Sequence, residues 1–207
     1  MNCGSEELTE DFFHGRVTDI AEELIGKLLV NEDNGAAGVI VETEAYLGVR
    51  DPASHLVNAG EKRRETFERG AGTVYVFKIY RHSNLNFLTE REGVTEGVLV
   101  RAAEPVEGIE EMKKRRRVEE EIELCSGPGK LCEAFGITKD EYNKTPVGES
   151  PLSVYRTGKD IEVKKTGRIG ISSAEKWPLR FEADNPHVSE RRDSETEGPD
   201  FEEFYTG

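Results

Sequence analysis

The chain is short of the residues that build metal and disulfide sites. It has three cysteines, Cys3, Cys125 and Cys132, which form no C-x-x-C pair and leave one thiol over. Neither a disulfide scaffold nor a cysteine zinc site is expected. The four histidines, His14, His55, His82 and His187, stand singly. A metal needs three or four donors at suitable spacing, so metal ligation is discounted and no cofactor is expected. No apolar run reaches the roughly 18 residues of a membrane span. The start, Met1 to Glu7, lacks the basic and apolar regions of a secretory signal, and there is no internal repeat. These absences predict a protein of a reducing cytoplasm, away from membranes.

Basic surplus is also missing: the formal net charge is −14. Its distribution matters more than its total. Residues 1–35 carry nine acids against two bases, and residues 182–207 carry the same. The middle, 36–181, is balanced with 24 of each. A neutral middle with local basic patches binds a polyanion where acidic ends avoid it. Acidic ends that serve only solubility fit equally well.

What the chain does have is a pattern of strands mixed with helices and no regular βαβ alternation. It predicts an α+β fold, a single domain over 1–188 with a curved, mostly antiparallel sheet flanked by helices. Residues 189–207 read as a flexible acidic tail. Helices are expected over 8–30, with Thr18 as N-cap, over 106–123 and over 131–135, with Gly136 as C-cap. Strands are expected at 37–46, 72–80, 85–88, 97–103, 161–163 and 167–172. The basic run Lys113 to Arg117 is flanked by acids at i, i+4 spacing and reads as a solvated helix face.

Chemistry concentrates in three places. In Val39 to Gly48 an apolar run ends in Glu42, Glu44 and Tyr46, and Asp51-Pro-Ala-Ser-His55 brings a histidine back. On a strand, residues i, i+2 and i+4 share a face. Two carboxylates and a ring suit a pocket that takes a proton and holds something flat, although a glutamate beside a histidine is most often one side of a salt bridge. In Tyr75 to Tyr80, Tyr75, Phe77 and Ile79 face one way, and Tyr80 ends the strand beside Arg81 and His82. A ring among cations is the means by which proteins enter a base stack. The third place, Leu124 to Leu131, fails as a phosphate loop, because Leu124 stands where the first glycine belongs and Leu131 follows Lys130. What remains is a glycine turn at Gly127 and Gly129 leading into a helix, with Lys130 in its first turn. That suits a single phosphate, or is a plain turn.

Taken in order, VETEAYLG at 41–48 with His55 eleven residues after Glu44, GTVYVFKIY at 72–80, VLVRAAEP at 98–105, LCSGPGKLC at 124–132 and PLRF at 178–181 resemble the alkyladenine (3-methylpurine) DNA glycosylase family. The resemblance runs from about Glu10 to Val188. It implies a monofunctional enzyme, with no metal, that flips an alkylated or deaminated purine out of duplex DNA and hydrolyses its N-glycosidic bond in base excision repair. Glu44 falls on the position that activates water, and Arg101 on an arginine near the flipped nucleotide's phosphate. Tyr46, His55 and Phe77, a tyrosine in most of the family, fall on the base sandwich. Tyr80, with Arg81 and His82, falls on the intercalating tip. The asparagine that blocks the 2-amino group of guanine aligns with Asn86 if one residue is deleted, and otherwise with Asn84. Lys130, Gly127, Gly129 and Arg64 are the expected phosphate contacts. The expected partner is double-stranded DNA holding a damaged purine, met by a monomer beside the chromosome. A silent nucleic-acid-binding module and a hydrolase of free nucleosides are the alternatives.

Overall fold

The computed structural model describes residues 6–54, 65–91, 94–189 and 196–206. Nine strands form one antiparallel sheet, with order β6-β3-β4-β5-β2-β1-β7 and β9 joining β2 and β8. The strands are β1 (Leu28–Asn31), β2 (Ala36–Tyr46), β3 (Thr73–Ile79), β4 (His82–Arg91), β5 (Val94–Glu107), β6 (Thr145–Pro146), β7 (Leu152–Tyr155), β8 (Val163–Thr166) and β9 (Arg180–Ala183). The helices are α1 (Val17–Glu23), α2 (Ile109–Arg116), α3 (Pro128–Phe135), α4 (Lys139–Tyr142) and α5 (Phe201–Thr206). This is the α+β domain that the mixture of periodicities predicts.

β2 organises the sheet. One edge pairs with β5 along its length, while the other is shared by β1 at Ala36 to Val39 and β9 at Glu42 to Glu44. The β2–β5 ladder slips on both sides of Glu42, passing over Val41 on one strand and Arg101 on the other. Bulges bend a strand and re-aim its side chains, and here the slip brings Arg101 against Glu42.

The sheet's two faces differ in chemistry because strand side chains alternate. Ile40, Ala45, Val74, Val76, Leu85, Phe87, Val98 and Val100 are buried in the main core, under α1 and α3. Phe13 and Phe87 meet there with ring centroids 5.2 Å apart. Close approach on that side depends on Gly38, where a Cβ would stand 2.9 Å from the Glu104 carbonyl and 3.2 Å from Phe135. The opposite face carries Glu44, Tyr46, Tyr75, Phe77, Asn84, Asn86 and Arg101.

Several expected boundaries move. The helix expected over 8–30 reduces to a 3-10 turn at Glu10–Phe13 and α1, with Arg16 rather than Thr18 as its N-cap. Gly26 at φ 84° ends that segment, and Leu28 to Asn31 instead fill the edge beside β2. A short apolar run does not distinguish a helix from a strand by period alone. The helix expected over 106–123 is only α2, because β5 runs to Glu107, Gly108 is left-handed, and Arg117 leaves the helix at φ 55°. Its expected i, i+4 pairs give way to Lys113–Glu110 and Lys114–Glu111 at i, i+3. Arg115 and Arg116 reach across to α3 instead. Residues 167–172 form no strand, whereas β7 and β9 escaped the sequence reading. The acidic segment after 189 includes α5, whose Phe201 and Tyr205 pack on the core. Arg16 anchors it through Glu202 at 2.8 Å. Among the described residues, no helix is long and apolar enough to cross a membrane.

Candidate active site

Glu42, Glu44 and Tyr46 share one face of β2, as their spacing predicts, but their surroundings separate them. Glu42 is fully buried in a cationic cage. Its Oε1 accepts Arg101 Nε at 2.8 Å and Arg180 Nε at 2.6 Å. Ser189 donates to the carboxylate twice, from its N–H to Oε2 at 2.8 Å and from its hydroxyl to Oε1 at 2.9 Å. Burial pushes the Glu42 carboxyl up, yet Arg101 and Arg180, with Ser189, outweigh it and hold the group below the usual carboxylate range. A carboxylate so occupied is a structural anion.

Glu44 is also 0% exposed but less saturated. Its Oε2 accepts the Tyr46 hydroxyl at 2.8 Å. Its Oε1 accepts the Ile169 N–H at 2.8 Å and faces Arg101 Nη1 at 3.2 Å. An ionised carboxylate has about four lone-pair sites, so the three donors among the described residues leave one for a further partner such as water. Burial pulls the Arg101 guanidinium down, but Glu44 and then Glu42 hold it above its ordinary value. Burial, with Glu44 beside it, pushes the Tyr46 phenol well up, so it stays a donor.

These groups back onto a cavity of about 280 Å³, near the small end of the range of roughly 300–1,000 Å³ usual for ligand sites. Tyr46, Arg101 and Ile169 form one wall, and Glu44 stands immediately behind them. Phe77, Ile79, Asn84, Asn86, Leu88 and Leu99 contribute from β3, β4 and β5. Tyr75 and Phe77 stack at 5.7 Å. Both candidate asparagines reach the cavity. The Asn86 amide NH2 donates to the carbonyls of Tyr75 at 3.2 Å and Asn84 at 3.3 Å, and Asn84 Nδ2 donates to His82 at 3.2 Å.

β3 and β4 meet in a two-residue turn, closed by the pair Ile79 and His82. At its tip Tyr80 adopts φ 52° and is 97% exposed. Left-handed backbone in a bulky residue costs about 1–3 kcal/mol and marks functional tips more than folded cores. Arg81 and His82 are exposed beside it. The glycine turn is also formed as expected: Gly127 precedes α3 with Pro128 in its first turn, and Lys130 Nζ lies 3.3 Å from Ser126 Oγ. Pro128 touches the cavity. His55 and Arg64 lie outside the described residues.

The sequence reading missed Asp51, Arg168, Ile169 and Ser189 as parts of this site. The sequence around Asp51 points only to His55 as a candidate. Arg168 carries no local signal, since its partners Asp51 and Ala45 stand more than a hundred residues earlier.

Residues 11–187 match the family model described as Methylpurine-DNA glycosylase (MPG). A provisionally named 3-methyladenine DNA glycosylase of Oceanobacillus iheyensis is 40% identical over 191 residues, covering 89% of this chain and 96% of the relative. A protein of the same provisional name from Methanoculleus marisnigri is 42% identical, covering 82% of this chain and 91% of its own. The chain belongs to the methylpurine-DNA glycosylase family, hydrolases of N-glycosyl bonds in DNA.

Proposed function

We propose that the protein excises alkylated purines from duplex DNA, with the damaged nucleotide turned out of the helix into the cavity and Glu44 activating the attacking water. The observation that carries this reading is a partly unsaturated carboxylate, held by Tyr46, Ile169 and Arg101, directly behind an aromatic cavity with an exposed tyrosine tip beside it.

Chemistry at the sugar carbon is blocked inside a base stack, and extrusion costs about a few kcal/mol. Tyr80 fills the vacated space, and Arg81 and His82 flank it. Phe77 and Tyr46 hold the extruded base, with His55 completing the sandwich. An N3- or N7-alkylated purine carries positive charge, and a ring face attracts a cation by roughly 0.5–2 kcal/mol. Water placed at the free lone pair of Glu44 gives its proton to that carboxylate as its oxygen attacks C1′. The C1′–N bond breaks, and its electron pair neutralises the departing cationic base. No proton donor to the base is needed in that case, so one general base suffices. Arg101, 3.2 Å from Glu44, faces the same water. Deaminated purines such as hypoxanthine are equally flat but neutral, so their release needs in addition a proton delivered to the base as the C1′–N bond breaks. Asn86, with Asn84 next to it, excludes the 2-amino group of guanine. The Gly127 to Lys130 turn, with Gly129 and Arg64, holds backbone phosphate.

Glu44→Gln tests the assignment. Abasic-site formation in alkylated duplex should be lost while duplex binding persists. Near-normal single-turnover excision in that variant would remove Glu44 from the role.

A further inference from the structure

Beside the hairpin tip lies a second concavity, a groove of about 580 Å³. Its walls include Arg81 and His82 of the hairpin, Arg115, Arg116 and Arg117 at the end of α2, and Glu133 of α3. The run Lys113 to Arg117 therefore is not one solvated face. Lys114 pairs with Glu111 on the surface. Arg115 Nη1 instead donates to the Ala134 carbonyl at 2.8 Å and Arg116 Nη1 to Glu133 at 2.6 Å, which fixes both against α3. Arg117 leaves the helix at φ 55° and is exposed.

The groove's position gives this charge a purpose. Ile79 and Pro128 line the cavity, whereas Arg81, His82 and Gly129 line the groove. The Tyr80 turn and the first residues of α3, Pro128 and Gly129, together form the ridge between the two. They fit closely, since a Cβ on Gly129 would stand 3.0 Å from the His82 Cβ. Four guanidiniums against one carboxylate, in a chain of net charge −14, make a local positive field that attracts a polyanion.

We propose that this groove receives the phosphodiester backbone of duplex DNA on the side of Tyr80 away from the cavity, with Arg117 and Arg81, which have no ion-pair partner among the described residues, as its cations. The proposal deepens the function proposed above: the strand that delivers a nucleotide to the cavity continues over the ridge into the groove. Each phosphate contact releases condensed counterions, so the dependence of log K on log salt steepens by about 0.9 per contact.

The experiment is fluorescence anisotropy of an undamaged labelled duplex at several salt concentrations, with wild type, Arg117→Ala, Arg117→Glu and Lys114→Ala. Arg117→Ala should bind more weakly at low salt, with a slope shallower by about 0.9, and Arg117→Glu should bind more weakly still. Lys114→Ala lies outside the groove and should keep the wild-type slope. Glu133→Gln removes the groove's carboxylate and should tighten binding. Equal slopes for wild type and both Arg117 variants would overturn the proposal. So would an equal loss in Lys114→Ala, which would show only a general charge effect. Excision plays no part in this readout, so the two readings fail separately. Shallower slopes without abasic sites on alkylated duplex sink the catalytic reading alone, and excision with unchanged slopes sinks the groove alone.

Discussion

The carboxylate of Asp51 and the guanidinium of Arg168 form a two-pronged contact in which both side chains are fully buried. The pair joins two walls of the cavity. Asp51 also accepts the backbone N–H groups of Leu47 at 3.2 Å and Ala53 at 2.9 Å, which fixes the loop after β2. Arg168 donates to the Ala45 carbonyl at 3.0 Å and lies with its Cζ 4.8 Å from the centre of the Tyr46 ring. The next residue, Ile169, gives its N–H to Glu44. Arg168 thus orients the phenol and the amide that hold the proposed base, without touching it.

Removing one member of a buried ion pair strands the other. Asp51→Ala is expected to lower stability by about 3–5 kcal/mol, measured by urea unfolding. Arg168→Lys keeps the charge but loses the planar fork and the ring contact. It should stay folded at 25 °C and lower single-turnover excision more than duplex affinity. Wild-type excision by Arg168→Lys would show that orientation of Tyr46 and Ile169 is unimportant.

Glu42 sets the acid limb of stability. Its folded carboxyl titrates below its ordinary value of 4.5 because Arg101 and Arg180 outweigh burial. The stability it adds is therefore complete above about pH 4.5 and lost as pH falls through the lower folded value. Urea midpoints should drop on acidification below that pH in wild type. Glu42→Gln should be less stable at pH 7 and show a flatter acid limb.

Tyr80 has almost no contact to lose, being 97% exposed. Tyr80→Ala should leave the melting temperature within a degree or two of wild type. If the ring replaces the extruded base in the stack, the variant should lose binding or excision equivalent to about 1–3 kcal/mol. Competition assays on lesion-bearing duplex measure this, and an unchanged variant would count against insertion.

Gly38 is a packing test independent of function. A methyl there would press on the Glu104 carbonyl at 2.9 Å and Phe135 at 3.2 Å. Gly38→Ala should cost about 1–3 kcal/mol through overpacking, read from its denaturant midpoint at an unchanged m-value.

The sequence by itself determined the elements whose residues alternate strongly or carry local stop signals. The strand bearing Glu42, Glu44 and Tyr46, the strand leading to the Tyr80 tip, the turn after Asn31 and the short helix closed by Gly136 were all legible. Period and φ preference are local quantities, and the shared face of Glu44 and Tyr46 follows from period two alone. Only the tertiary structure decided how the two glutamates differ. Glu42 is enclosed by Arg101, Arg180 and Ser189, while Glu44 meets only three donors among the described residues, and both results depend on residues distant in the chain. The same holds for Leu28 to Asn31, a strand because an edge of β2 awaits it, and for Arg115 and Arg116, which turn from helix-surface pairs to α3. Burial and ion pairing belong to surfaces brought together by folding, and no local pattern encodes which surfaces those are.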